Sequence, residues 1–304
     1  MYRTRKFRNI LLEPSERIFC SRDVGGAGRM SKNGGFVNGG AAGETVDGID
    51  SAIVGHYMAF EASDTLHRNA EDFIQRFVYT KQPGSEPQVL LYKVMEDFIN
   101  ECMQVYFVDV GVKAGLSSGS LKVVETTVGV IRKAVGFVLG RVVNKLEPKQ
   151  MLAVAQHMDR VMLRARGNLS VPAWIAFSLP EEWVTAHFSA HYSLHQTTSA
   201  PDVPKLISLY SELADISITE FFETPLQLIG LGPILRKMTD VAIDTARSAT
   251  RGLLKQIFKN MSREQIGEVL NIFEAMTMSA DDVLARTHQS GLGQCMTSSP
   301  APLI

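Results

Sequence analysis

Three histidines at helical spacing are the first residues with chemistry to offer. The stretch WVTAHFSAHYSLH places His187, His191 and His195 at successive steps of four. On an α-helix each such step drifts by about 40°, so the rings form one slowly winding stripe. Two imidazoles at i, i+4 can grip a divalent cation, and a metal-dependent helical enzyme would need a third ligand from another helix. The chain has no HExxH, so the glutamate base of a zinc protease is missing. The rings could instead titrate together near pH ~6, since residues 183–201 contain no lysine, arginine, aspartate or glutamate. The simpler reading is a half-exposed helix face beside Trp183, Phe188 and Tyr192.

Gly115-Leu116-Ser117-Ser118-Gly119 matches G-x-S-x-G, the nucleophile elbow of serine hydrolases. Ser117 is the alternative catalytic residue, with Asp159 and His187 further along the chain. A strand should run straight into such an elbow, yet Gly111-Val112-Lys113-Ala114 intervenes after Tyr106–Val110, which leans towards β by composition. A hydrolase sheet also needs repeated strand–helix alternation, which the chain lacks. A Gly/Ser loop between helices explains the motif more simply.

Other chemistries find less support. The glycines at 25, 26, 28, 34, 35, 39, 40, 43 and 48 fit neither a P-loop nor a dinucleotide fingerprint. Cys20, Cys102 and Cys295 lie far apart and form neither a disulfide framework nor a zinc signature. Lys plus Arg is 31 against 32 Asp plus Glu, a net charge of −1. Near-neutrality argues against bulk attraction to nucleic acid, and no basic stripe with interleaved aromatics appears. No cofactor is expected, a divalent metal on the histidine stripe being the exception.

The elements that would position these residues are helices. Of 304 residues, 45% are hydrophobic and 21% charged, enough apolar surface for a core. Ile49, Ile53, Tyr57 and Phe60 recur at helical steps and predict a helix running on to Phe77. Leu91, Met95, Phe98, Cys102 and Val105 share another helical face, and further helices are expected at 122–146, 149–165, 179–196, 205–222, 234–260 and 263–278. Breaks fall at 81–87, 114–120, 166–172 and 197–204, and 224–233 is apolar but broken. Ser178-Leu179-Pro180-Glu181 and Ser262-Arg263-Glu264-Gln265 read as capping boxes. The expected fold is therefore all-α, a multi-helix bundle over 49–290. Residues 1–48 read as a flexible Gly-rich lead-in, and 291–304 as a disordered tail. Residues 1–29 are a candidate non-native leader, with Met30 as the native start, because glycine codons can spell a ribosome-binding site.

Helix 122–146 combines a stripe (Val128, Val135, Val138, Val142, with Val124 and Ile131) with Gly129, Gly136 and Gly140. Gly136-xxx-Gly140 is spacing that lets helix backbones approach closely, so this is the expected packing or membrane-insertion face. Offset by 115, the hairpin 134–161 lies on 249–276, apolar on apolar. That hints at two related hairpins, 122–165 and 234–278. Arg132, Lys133, Arg141 and Lys145 interrupt any constitutive span, although flanking cations could snorkel while apolar stripes insert.

The resulting expectation is a non-enzymatic helical protein acting through contact with another protein or a lipid bilayer. Its sharpest form is a bacterial effector or toxin whose hairpins insert and leak ions. The N-terminal Arg3, Arg5, Lys6 and Arg8 precede only Ile10-Leu11-Leu12, too short for a signal-peptide core. Synthesis in the cytoplasm without a cleavable signal is expected, with leaderless export or reversible membrane association.

Overall fold

A computed structural model describes residues 55–283 and 285. The expected lead-in, the Met30 start and the expected tail lie outside the described residues. Strand β1 (His56–Glu61) is followed by α1 (Asp64–Ile74), α2 (Pro87–Met103), α3 (Val110–Lys113), α4 (Ser118–Val143) and α5 (Pro148–Val161). Strands β2 (Met162–Leu163) and β3 (Trp174–Leu179) lead to α6 (Glu181–Gln196), α7 (Val203–Ile218) and α8 (Thr224–Ile229). Helices α9 (Pro233–Asn260) and α10 (Arg263–Met276) and strand β4 (Thr277–Ser279) complete the order. The protein is mostly helical, and among the described residues it is a multi-helix bundle with one small sheet ordered β2-β3-β1-β4.

The sheet corrects the expectation of a helix from Ile49 to Phe77. β1 pairs antiparallel with β3, Met58 opposite Phe177 and Ala59 opposite Ala176. Both faces of the strand are covered. Met58 and Phe60 join the main core, whereas Ala59 packs with Ala176, Met278 and Val283 on the other side. A strand buried on both faces loses its apolar–polar alternation, so its sequence carries no period-two signal.

Among the described residues three π-turns interrupt the helices, at Gln75–Tyr79, Gln104–Asp109 and Thr219–Glu223. The second corrects the β-leaning reading of Tyr106–Val110, because it joins α2 to α3 in one continuous rod. The third joins α7 to α8 and carries helix through much of the segment read as broken. A π-turn inserts one residue and rotates the apolar stripe, so the periodicity fails where the backbone does not. The expected capping box at Ser178 also fails: Pro180 is the N-cap of α6 and makes no side-chain cap, while Ser178 belongs to β3.

The hinted duplication extends through the described fold. Each half runs strand, helix, π-interrupted helix, long helix, short helix, strand. Offset by 115, Gly115 lies on Gly230, both with positive φ. Under the same offset the helix caps Ser117 and Gly232 coincide, as do the capping boxes that open α5 and α10. β1 overlays β3 at 117, Ala59 on Ala176 and Phe60 on Phe177. The halves interlock: β2 pairs with β3, and β4 with β1. Gln150 donates to the Ile229 carbonyl (2.6 Å), and its counterpart Gln265 to that of Gly115 (2.6 Å). Each glutamine thereby fastens the turn that feeds the other half's long helix.

Candidate functional site

The long helices and the two π-turns shared by the halves surround an apolar cavity of about 160 Å³. Leu91, Met95, Ile99 and Cys102 form one face of α2, and the π-turn that follows brings Tyr106 onto the same wall. α4 contributes Val135, Val138 and Val142, the other π-turn Phe221 and Phe222, and α9 the small side chains of Ala242 and Ala246. Apolar cavities of about 150 Å³ stay dry and admit small apolar molecules.

Its polar atoms are mostly committed to the wall. Ser217 donates to the Leu213 carbonyl (2.7 Å) and Thr239 to that of Leu235 (2.8 Å). The Tyr106 hydroxyl differs: it is buried, with no hydrogen-bond partner among the described residues. Burial, and secondarily the Cys102 thiol one turn earlier, push this phenol well above its ordinary value. Burial likewise pushes the Cys102 thiol up, so it is an inert neutral group here. A buried tyrosine hydroxyl usually finds a partner.

The expected face of α4 divides. Val128, Val138 and Val142 are buried and Val135 partly so, as the stripe requires. The glycines mark no close crossing. A Cβ at Gly129 or Gly136 would meet nothing within 4 Å, and at Gly140 only the Tyr92 ring at 3.7 Å. Gly136→Ala should therefore raise stability by about 1 kcal/mol through helix propensity alone. A urea-unfolding midpoint that falls would restore the close-approach reading.

The histidine stripe also divides. His187 is fully buried, its ring stacked on Trp183 at 5.1 Å between centroids and its Nδ1 3.3 Å from the Tyr210 hydroxyl. Burial, with a smaller contribution from His191, pushes its pKa down to about 4. His191 and His195 lie on the surface between α6 and α10. The structure thus brings two of the three together, and the expected three-histidine set is not assembled. Among the described residues no group of three or more His, Cys, Asp or Glu could hold a metal.

Ser117 caps α4. Its Oγ accepts from Ser120 N at 3.2 Å and donates to Ser120 Oγ at 3.1 Å. It follows a helix and a glycine turn, so the strand that a nucleophile elbow requires is missing at this point. Asp159 is bound instead to Arg164 (2.8 Å) and the Tyr79 hydroxyl (2.6 Å), and His187 to Tyr210.

Sequence reasoning missed the buried ion network around Arg164. Its guanidinium donates to Glu71, to Asp159 and to the Met162 carbonyl at 3.2 Å. Glu71 also accepts from Gln75 (2.8 Å) and the Gly167 amide (2.8 Å). Burial alone would raise the Glu71 pKa, but these donors outweigh it and hold the carboxyl below its usual value. Only the acidic and basic residue types were visible in the sequence, since the partners lie far apart along the chain.

No helix among the described residues is long and apolar enough to cross a membrane. Comparisons with known protein families, with curated proteins and with solved structures find no match, so the site rests on its own geometry.

Proposed function

We propose that this is a non-enzymatic helical protein that works by contact with lipid, taking the apolar part of an amphiphile into the cavity. The observation that carries this reading is a greasy cavity whose wall includes one unpartnered buried hydroxyl. An acyl chain or similar body would replace the missing dispersion contacts, and a single polar group would pair with Tyr106. Association with the bilayer is reversible in this reading, because the amphiphile is drawn from the membrane and returned to it.

The test is binding of a fluorescent probe with a short acyl chain to the full chain, displaced by hexanol or by hexane. Ala242→Leu should fill the cavity and weaken the probe about tenfold or more while leaving the melting temperature in place. Tyr106→Phe should stabilise the free protein by about 1–3 kcal/mol, since it removes an unpaired buried hydroxyl. It should also weaken hexanol but not hexane. Probe binding unchanged in Ala242→Leu would sink the reading.

Exposed apolar side chains favour the sharper form, a bacterial effector or toxin whose hairpins α4–α5 and α9–α10 open onto a bilayer. Phe137 on α4 is 57% exposed, and Ile234 and Val241 on α9 are 79% and 60% exposed. Dye release from vesicles at pH 7 and 5 tests it, and intact vesicles at micromolar protein would remove it.

A further inference from the structure

The geometry points to a transition-metal site on the surface between α6 and α10, built from His191, His195 and Asn271 and oriented by Glu274. None of these residues lines the cavity, so the site is separate from the lipid-binding reading. The Nε2 atoms of His191 and His195 are 3.2 Å apart. Two nitrogens bonded to one cation at about 2.1 Å would sit about 3.4 Å apart at a tetrahedral angle and about 3.0 Å apart at a right angle. The observed spacing falls between the two.

The surroundings suit a ligand pair. Glu274 Oε2 is 3.1 Å from His191 Nδ1. When a metal displaces the Nε2 proton that faces Asn271 Oδ1, a carboxylate there can hold the proton on Nδ1, the outer-shell arrangement usual for metal-bound imidazole. Asn271 Oδ1 lies 2.7 Å from His191 Nε2, in direct hydrogen-bond contact, so a small outward swing of this side chain would make the amide oxygen a third ligand. Water would complete the set. His195 sits in the last turn of α6, where a helix would ordinarily fray. Arg263 prevents this by donating to the carbonyls of Leu194, Thr197 and Ser199.

The duplicated fold sharpens the argument. The groove between α1 and α5 is the counterpart of that between α6 and α10. Ile74 stands there where the second half has His191, and it is completely buried. Asp159 stands in place of Glu274, occupied by Arg164 and Tyr79. One groove is closed by packing and ion pairs, whereas the other presents two imidazole nitrogens to solvent. Imidazole with an amide oxygen suits zinc, nickel or copper over magnesium or calcium.

The experiment is a titration of the full, chelator-treated chain with Zn²⁺ or Ni²⁺ against a chromophoric chelator at pH 7.5. One equivalent should bind. His195→Gln and His191→Gln should each weaken binding at least tenfold, and Glu274→Gln about tenfold through the lost outer-shell bond. Asn271→Asp should tighten it by supplying a charged oxygen. His195→Gln removes an exposed side chain, so loss of binding in a variant that keeps its melting temperature reports the site. Unchanged affinity in that variant, or less than a tenth of an equivalent bound at 0.1 mM metal, would overturn the proposal.

Discussion

Replacing Arg164 with alanine is expected to cost about 3–5 kcal/mol of folding stability, because it strands a buried carboxylate. The Arg164 and Glu71 side chains are only 2% and 6% exposed. The guanidinium ties α1, through Glu71, to α5, through Asp159, and to the Met162 carbonyl in β2. Without it Glu71 keeps two neutral donors, Gln75 and the Gly167 amide, which do not balance a buried charge. Burial would lower the Arg164 pKa, but its two carboxylate partners raise it overall, so the cation persists at any ordinary pH. The pair's own contribution is a different quantity. A double replacement, Glu71→Met with Arg164→Met, should recover most of the loss, since well-packed apolar residues often match a buried ion pair. Urea unfolding of the wild type, the single variant and the double variant separates the two. A loss below about 1 kcal/mol in Arg164→Ala would show that water reaches Glu71.

Acidification is expected to remove about 3 kcal/mol between pH 6.5 and 4 through His187 alone. Its folded-state pKa lies near 4 against an ordinary 6.5. The folded protein therefore holds the neutral ring, and the unfolded chain takes up the proton first. The stabilisation is complete above pH 6.5 and is lost as the pH falls towards 4. His67 and His157 are also pushed down, chiefly by burial, and steepen the fall in the same window. Glu71 acts lower, since its depressed pKa makes its contribution fade only below 4.5. His187→Phe should keep the stack on Trp183 and flatten the pH dependence. Unfolding free energies at pH 7, 6, 5 and 4.5 check this, and an equal slope in wild type and variant would refute it.

The helices with clean periodicity could be read from the sequence. α4, α5, α9 and α10 carry stripes at steps of three and four, and Ser262 with Gln265 announces the start of α10. What escaped has three physical causes. The strands are short and covered on both faces, so Tyr57 and Phe60 fit helical steps by accident. The π-turns add a residue, which hid the continuity of α2 with α3 and with it the cavity wall at Tyr106. The histidine stripe was read correctly in spacing but not in direction. A drift of about 40° per step accumulates over two steps, enough to turn His187 into the core and leave His195 in solvent. The duplication was visible only as matching hydrophobicity, because cores constrain volume and polarity more than identity.

Interlocked end strands carry an implication for how such a body arises. Neither half completes its own sheet: each lends its final strand to the first strand of the other. Two copies of a half-length ancestor trading that strand would generate the same architecture as a twofold-symmetric dimer. Fusing them end to end replaces an encounter that depends on protein concentration with one set by a ten-residue tether, from 164 to 173. Copies fused in this way are free to differ, and here one groove is closed while its twin holds a pair of imidazoles.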